Sequence, residues 1–333
     1  MKVPYLTIVC TYRCNMACPY CRHAGTLYGE GYGGIEEDLS KEEITRIAKI
    51  GYKKGIRHFR LTGGEPLTRN DLHDLILSLK KIGKGIDITL NTNGRDLEKH
   101  ENFFSSLDDF GLRVSIDSYF ESPGSPKNWT EKVGATIKRI SKKIPVRIDT
   151  VALKSNIDKI SQIVDYCKKN DIDMKILDLY PNSNEDLKYW IKEFHDTRPL
   201  FKKLKKEGEI HKFKSKDRKG LPMQYIKIGK SEIIFKDSFN GTCFHKLCKT
   251  CPIYPCQEGI YNLCLSNDGR LGISHCLFPP FNIAIVNESE EFIGNAFNKL
   301  IKIFQESKHE KTLAKHLKKV KDFETGETIR RIK

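Results

Sequence analysis

No run of apolar residues in this 333-residue chain approaches the roughly 20 that cross a bilayer. The opening MKVPYLTIVC is apolar over too few positions for a secretion signal and has no cleavage site. A membrane span and export are excluded on this basis, and a cytoplasmic location is expected. Negative charge is also short: 43 Asp and Glu stand against 58 Lys and Arg, a net charge of +15. The densest basic run is Lys202, Lys203, Lys205 and Lys206, then Lys212, Lys214, Lys216, Arg218 and Lys219. Aromatics are sparse in it (Phe201, Phe213), and no nucleic-acid motif accompanies it. The run reads first as a solvated face and second as an anion-binding one, so nucleic acid is not the favoured partner. Internal repeats and low-complexity blocks are absent as well.

Cysteine, by contrast, is plentiful. Of eleven cysteines, four lie at 10–21, six at 243–276, and Cys167 stands alone. A cytosolic chain of this length has no need of disulfide staples. Tight clusters in such a chain point to metal or iron–sulfur. Cys10 and Cys167 suit buried packing thiols; the other nine, in two short windows, do not.

The first two hundred residues alternate β-rich runs with helical stretches. Strands are expected at Tyr5–Val9, His58–Thr62, Ile86–Asn91, Leu112–Ile116, Val146–Ala152 and Met174–Leu179. Amphipathic helices are expected at Ser40–Lys54, Asn70–Ile82 and Ile157–Lys169, the first opened by a Ser40/Glu43 capping box. Six strand–helix units in series predict an α/β fold, a partial (β/α)6 TIM-type barrel whose substrates sit at the C-terminal strand ends. The rhythm breaks near residue 195. Residues 208–222 read as a polar linker, 241–280 as a cysteine-rich, turn-rich segment, and Ala296–Val320 as a helix. The expected division is a barrel over 1–205, an auxiliary-cluster domain over 206–295 and a helical segment over 296–333.

The motif Cys14-Asn-Met-Ala-Cys18-Pro-Tyr-Cys21 follows the first strand directly, at the catalytic rim of such a barrel. Three thiolates at this spacing can each ligate one iron of a [4Fe–4S] cube. With no local fourth ligand, one iron stays open to a substrate or cofactor. Tyr20, before Cys21, is usual in such loops. A zinc site would more often show paired CxxC elements or histidines. Cys10 offers a second register, set aside because Cys10 ends the apolar strand.

CxxxCxxC after strand one, with Gly63-Gly64-Glu65-Pro66 after strand two, resembles the radical S-adenosylmethionine (SAM) superfamily. The resemblance implies that the open iron chelates SAM, and that one electron cleaves it to a 5′-deoxyadenosyl radical that abstracts hydrogen. It also implies a one-electron donor such as flavodoxin or ferredoxin. In this setting Gly63 and Gly64 would allow close backbone approach, and Glu65 would offer an acceptor near a cationic amine. Within the superfamily, Arg60–Leu67, Arg69–Leu72, Asn91–Gly94, Arg113–Ser118 and Asp149–Lys154 are similar to the GTP cyclase of molybdenum-cofactor biosynthesis and its relatives. By that resemblance Thr92, Asn93, Ser115 and Asp117 lie near the SAM methionine or ribose. Arg69 and Lys154 match basic positions that face anionic groups, which implies a small anionic substrate.

Cys248-Lys-Thr-Cys251, then Cys256, a hairpin turn at Asn267-Asp268-Gly269 and a returning Cys276 resemble the auxiliary-cluster segment of the cyclase and the Twitch/SPASM group. A second [4Fe–4S] cluster is implied, on Cys248, Cys251, Cys276 and Cys256, with Cys243 and Cys264 as other candidates and a structural zinc as the alternative. The chain departs from the cyclase pattern where Asn262 and Cys264 replace basic positions before the turn, which implies a different substrate. Two other readings stay open. One is a peptide-modifying maturase, against which a strand starting at residue 5 leaves no room for a leader-binding domain. The other is an iron–sulfur electron-transfer or nucleic-acid-binding protein without SAM chemistry.

Overall fold

Runs such as LTIV and VRIDTVA are short and β-branched, which favours strands, and the strand runs alternate with stretches that carry apolar residues at helical spacing. The computed structural model describes residues 3–16, 18, 20–21, 38–117, 127–179, 186–211, 223–236, 238–251, 254–256, 259–274, 276 and 279–315. Its first half alternates β1 (Leu6–Val9), α1 (Lys41–Lys53), β2 (His58–Thr62), α2 (Leu72–Lys80), β3 (Asp87–Thr92), α3 (Glu101–Ser105), β4 (Phe110–Ser115), α4 (Lys127–Ile140), β5 (Val146–Ala152), α5 (Ile157–Asn170) and β6 (Asp173–Asp178). There follow α6 (Asp186–Glu193), α7 (Arg198–Leu204), β7 (Glu209–His211), β8 (Met223–Ile228), β9 (Ser231–Lys236), β10 (Thr242–Phe244), β11 (Leu263–Leu265), β12 (Arg270–Ile273), β13 (Asn282–Ala284), α8 (Glu290–Glu306) and β14 (Lys308–Glu310). Among the described residues no helix is long and apolar enough to cross a membrane.

Twelve strands make one sheet, in the order β13-β12-β11-β1-β2-β3-β4-β5-β6-β9-β8-β7, while β10 pairs with β14. The six expected strands are neighbours, in chain order and parallel. Two more join them in parallel, β11 beside β1 and β9 beside β6. Antiparallel strands finish both edges. One face of the parallel strands is apolar: Phe59, Leu61, Ile88, Leu90, Leu112, Val114, Ile148 and Met174 share a buried core with Ile44, Ile47, Leu75, Leu79, Ile160 and Ile163 of the helices. The alternate residues, Arg60, Thr89, Arg113, Arg147, Asp149 and Lys175, form the other face. Tyr5, just ahead of β1, acts electrostatically on Arg113 of β4 and Arg147 of β5. Strands that far apart in the order meet only if the sheet curls around its polar face, as a partial barrel does.

Three expectations shift. Residues 206–295 do not stand apart, since β7–β9 extend one edge of the sheet and β11–β13 the other. The boundary at 295/296 falls inside α8, which begins at Glu290 because Ser289 caps it, its hydroxyl accepting from the Phe292 amide at 3.2 Å. The helix expected through Val320 stops at Glu306. There the Ser307 hydroxyl donates to the Phe304 carbonyl at 2.6 Å, and the chain leaves to pair with β10. Residues 316–320 of that stretch lie outside the described residues, as do 212–222 of the expected linker. Lys202, Lys203, Lys205 and Lys206 are exposed on and after α7.

A histidine pair gives the fold a predicted pH dependence. His73 Nε2 lies 2.8 Å from His100 Nδ1, and the His73 ring stacks on Phe103. One ring must donate and the other accept, so the pair cannot hold both extra protons. Burial lowers both pKa values; Asp74 opposes this at His73, while at His100 the His73 ring and Lys99 add to the lowering and Asp96 opposes it. The unfolded chain then binds more protons than the folded one below about pH 6.5. Stability is therefore full above that pH and falls as the pH drops. Tm should decline between pH 7 and 5.5, and His100→Gln should make the decline shallower. Equal slopes in the two proteins would exclude the pair as its source.

Candidate active site

The chain leaving β2 meets the chain leaving β1 almost without a gap. The Gly64 amide donates to the Thr11 carbonyl at 2.9 Å and the Glu65 amide to the Arg13 carbonyl at 2.7 Å. A Cβ on Gly63 would stand 2.2 Å from the Thr11 oxygen, and one on Gly64 2.2 Å from the Arg13 oxygen. The close approach these glycines permit is thus made by the cysteine loop itself. Glu65 is buried, and its carboxylate accepts from the Leu67 amide (3.0 Å), the Thr92 hydroxyl (2.7 Å) and the Asn93 amide (2.6 Å). Burial raises its pKa against those hydrogen bonds. Glu65, Thr92 and Asn93, expected separately beside SAM, are one connected unit.

That unit reaches the loop a second time through a residue the sequence reading passed over. Asn15 accepts from the Asn93 side chain at 2.8 Å and donates to Asp96 at 2.9 Å, and its carbonyl accepts from Arg95 at 2.8 Å. The only signal was its position next to Cys14. Arg13 pairs with Asp38 at 2.8 Å.

Within the loop, Cys10 is buried, its thiol donating to the Thr62 carbonyl at 3.2 Å, and burial pushes it up to about 12. It is a packing residue. Cys14 and Cys21 are exposed and Cys18 half-buried, and the Cys21 amide donates to the Cys18 carbonyl at 3.0 Å. Tyr20 packs against the core. The Cys18 thiol is pushed up to about 11 by burial, then by Asp117 and Cys14. Crowded thiolates beside a carboxylate suit a bound cation, and this donor set fits an iron–sulfur cluster. Among the described residues no three ligating side chains form a ready-made metal site.

Ser115 is exposed at the end of β4. Asp117, two residues on, accepts from the Val151 amide at 2.7 Å, and burial raises it to about 7 against that bond. Asp117 and Cys18 both act on Tyr189 of α6, so the loop, the β4 end and α6 share one rim. Lys154 lies just past β5, exposed, with its ammonium 3.3 Å from the Ile191 carbonyl near the end of α6. Arg69, expected to face an anion, makes internal contacts in the fold. It is 5% exposed and grips both Asp71 oxygens (2.6 and 3.0 Å), the Cys10 carbonyl (2.6 Å) and the Leu39 carbonyl (2.9 Å). Four of its five N–H donors are taken up inside the protein.

In the second cysteine region none of the thiols forms a disulfide. His245 caps the short turn over Lys246–Thr250 and lies 3.2 Å from Glu306 of α8. At its end the Cys251 amide donates to the Cys248 carbonyl at 3.0 Å, and beyond it the Tyr254 amide donates to the Cys251 carbonyl at 3.1 Å. Burial raises the Cys248 pKa, and Cys251 and Glu310 add to it. Cys256 and Cys276 are half-buried against the core, whereas Cys243 and Cys264 are buried in β10 and β11.

Because β11 runs parallel to β1, its hairpin arrives beside the first cysteine loop. The Asn267 amide donates to the Tyr12 hydroxyl at 3.1 Å, and the Asn267 side chain donates to Asp38 (3.0 Å) and accepts from the Leu39 amide (3.0 Å). β12 runs back, so Cys276 emerges at the opposite end of the strands. Cys243 is there too, its carbonyl accepting from Ile260 just ahead of β11 at 2.9 Å.

Comparison with known proteins agrees with this geometry. The family model of the Radical SAM superfamily matches residues 8–189, more than half of the chain. The probable GTP 3',8-cyclase of Methanococcus aeolicus is 27% identical over 288 residues, 81% of this chain and 88% of that protein. The GTP 3',8-cyclase of Staphylococcus haemolyticus is 34% identical over 192 residues, 54% of this chain and 55% of that protein. Among solved structures, Streptococcus suis SuiB bound to S-adenosylmethionine superposes with a TM-score of 0.56 at 15% identity, over 86% of this chain but only 62% of that one. Native anSMEcpe with bound AdoMet also gives 0.56 at 15% identity, over 90% of this chain and 82% of that one. At such identities the structures show a shared fold. The family match and the CxxxCxxC loop leaving β1 of a parallel sheet together establish that this chain belongs to the radical SAM superfamily, as an enzyme with a [4Fe–4S] cluster and SAM as cofactors.

Proposed function

We propose that Cys14, Cys18 and Cys21 hold the SAM-binding cluster, and that Cys248, Cys251, Cys256 and Cys276 hold an auxiliary [4Fe–4S] cluster. The enzyme abstracts hydrogen from a small polar, anionic substrate. Residues 1–205 carry SAM cleavage and 206–295 the auxiliary site, and a flavodoxin- or ferredoxin-like protein delivers the electron. The observation that carries this reading is the double clamp of the Gly63–Glu65 backbone on Thr11 and Arg13, which fixes the stem of the cysteine loop at the strand ends.

The cluster, when bound, supplies the electron that splits the sulfonium of SAM. The protein's part is to hold and orient. Cys14, Cys18 and Cys21 ligate. Asn15, Asn93 and Asp96 brace the loop between the ligands and β3. Glu65 ties Thr92 and Asn93 to the same backbone, so its role is to organise the SAM side of the rim rather than to meet the amine alone. Ser115 and Asp117 offer a hydroxyl and a carboxylate to the SAM ribose or methionine, and Lys154 offers a cation at the same end of the barrel. The cyclase relatives support a nucleotide-like substrate, and Asn262 and Cys264 support one different from theirs.

The test is anaerobic. Reconstituted wild type should carry about eight irons per chain, and with a reductant it should release 5′-deoxyadenosine from SAM. Cys18→Ala should keep the fold, drop to about four irons and lose SAM cleavage. A variant that still cleaves SAM at the parent rate would reject the ligand assignment, and zinc in place of the second cluster would reject the auxiliary one.

A further inference from the structure

The polar face of the sheet holds a charge that the described residues leave unanswered. Arg113 of β4 is only 8% exposed, and its side chain makes no hydrogen bond or ion pair among the described residues. Buried charges in folded proteins are paired or bound to ions, because an isolated one costs several kcal/mol. Burial works against the Arg113 charge, and the guanidinium groups of Arg60 and Arg147 work against it further. An arginine does not shed its proton in a protein, so that cost persists until something negative offsets it. The carboxylate acting in its favour is Asp149, which Arg147 already holds through two bonds of 2.6 and 2.9 Å.

Arg60, on the same face, has a cation–π contact with the Tyr5 ring at 4.3 Å, but its Nε is buried without a hydrogen-bond partner among the described residues. Asn91, the register neighbour of Arg113, is neutral and does not offset the charge. Lys175 of β6 is held well below the ordinary lysine range by burial, then by Arg147, with Lys236 and Arg113 adding to it. Gly111, two residues before Arg113 on the same face, presents no side chain there. The register places Arg113 opposite Arg147, one layer below Ser115 and Asp149. It therefore lies beneath the rim where the cysteine loop sits.

We propose that Arg113, with Arg60 and Lys175, forms an oxyanion-binding site inside the barrel that receives a phosphoryl or carboxylate group of the substrate. The substrate part of this inference rests on the SAM-enzyme reading; the oxyanion site itself does not. Arg113 also sets specificity: a substrate without the anionic group leaves the buried cation unpaired.

Thermal melts of the full-length, cluster-loaded protein test this, in a low-anion buffer with inorganic phosphate or malonate against chloride at matched ionic strength. Either oxyanion should raise the wild-type Tm by about 3–5 °C beyond chloride. A rise with phosphate alone marks a phosphoryl ligand, and one with malonate alone a carboxylate. In chloride, Arg113→Met should melt above wild type, because it removes an unpaired buried charge, and it should lose most of the oxyanion-dependent rise. No wild-type rise with either anion overturns the proposal, and this arm stands even if the variant fails to fold. A variant that folds but melts below wild type in chloride, or keeps the rise, overturns it too. SAM cleavage in the same preparation separates the two failures: anion binding without cleavage sinks the SAM reading and leaves the site standing.

Discussion

Gly64→Ala is expected to cut reductive SAM cleavage by about a hundredfold or more, through a methyl group that never touches the chemistry. The added carbon would lie 2.2 Å from the Arg13 oxygen and 2.6 Å from both the Arg13 carbonyl carbon and the Tyr12 oxygen. All three are backbone atoms, so no side chain can swing away. Relief requires the 12–13 segment to move by about an ångström, a displacement of the size that costs two orders of magnitude when reacting groups are misplaced. The move would also break the 2.7 Å bond from the Glu65 amide to Arg13, immediately before Cys14. The rest of the fold is remote from the clash, so circular dichroism should be unchanged while iron incorporation and 5′-deoxyadenosine formation fall together. Gly134→Ala is the matched control. It lies in α4 with nothing nearer than 3.8 Å to the new carbon, and should leave both measurements alone. Normal iron content and more than half of the parent rate in Gly64→Ala would show that the clamp does not position the cluster loop.

What the sequence made legible was local. β2 and β5 span the residues expected of them, β5 on a run rich in β-branched side chains, and α1 begins at its Ser40 cap, although Glu43 turns to Arg46 (2.7 Å) rather than closing a reciprocal box. The parallel order of β1–β6 followed from the strand–helix rhythm. What stayed hidden was non-local. β11 is a three-residue strand, too short to show a period, yet it pairs with β1 from more than 250 residues away. Polar side chains give no sequence signal of their partners: Asn15, Asn267 and Asp38 look like ordinary loop residues until the fold joins them. The glycines were recognised as sites of close approach, but the partner in that approach is the chain's own backbone. Arg113 was visible only as part of a motif, because its anomaly is the lack of a partner among the described residues.

Arg69 shows the same ambiguity in its sharpest form, since a ligand for an anion and a buried tie use the same residue. The structure predicts that Arg69→Ala loses stability rather than substrate affinity. Four contacts go at once: two to Asp71, one to the Cys10 carbonyl and one to the Leu39 carbonyl. A buried acceptor left without its donor costs about 1–3 kcal/mol. Asp71 is partly exposed and regains water, so the loss falls short of the roughly 3–5 kcal/mol of a fully buried broken pair. A total of about 2–4 kcal/mol is expected, a fall in Tm of about 3–6 °C for a chain of this size. Arg69→Lys should recover only a small part, because an ammonium cannot grip both Asp71 oxygens and two carbonyls on separate segments. The carbonyls belong to the residue that opens the cysteine loop and the one that leads into the α1 cap, so iron retention should fall with Tm. At temperatures where Arg69→Ala remains folded and loaded, substrate and SAM affinities should match wild type. If Tm is unchanged and substrate binding drops tenfold, Arg69 faces the substrate after all.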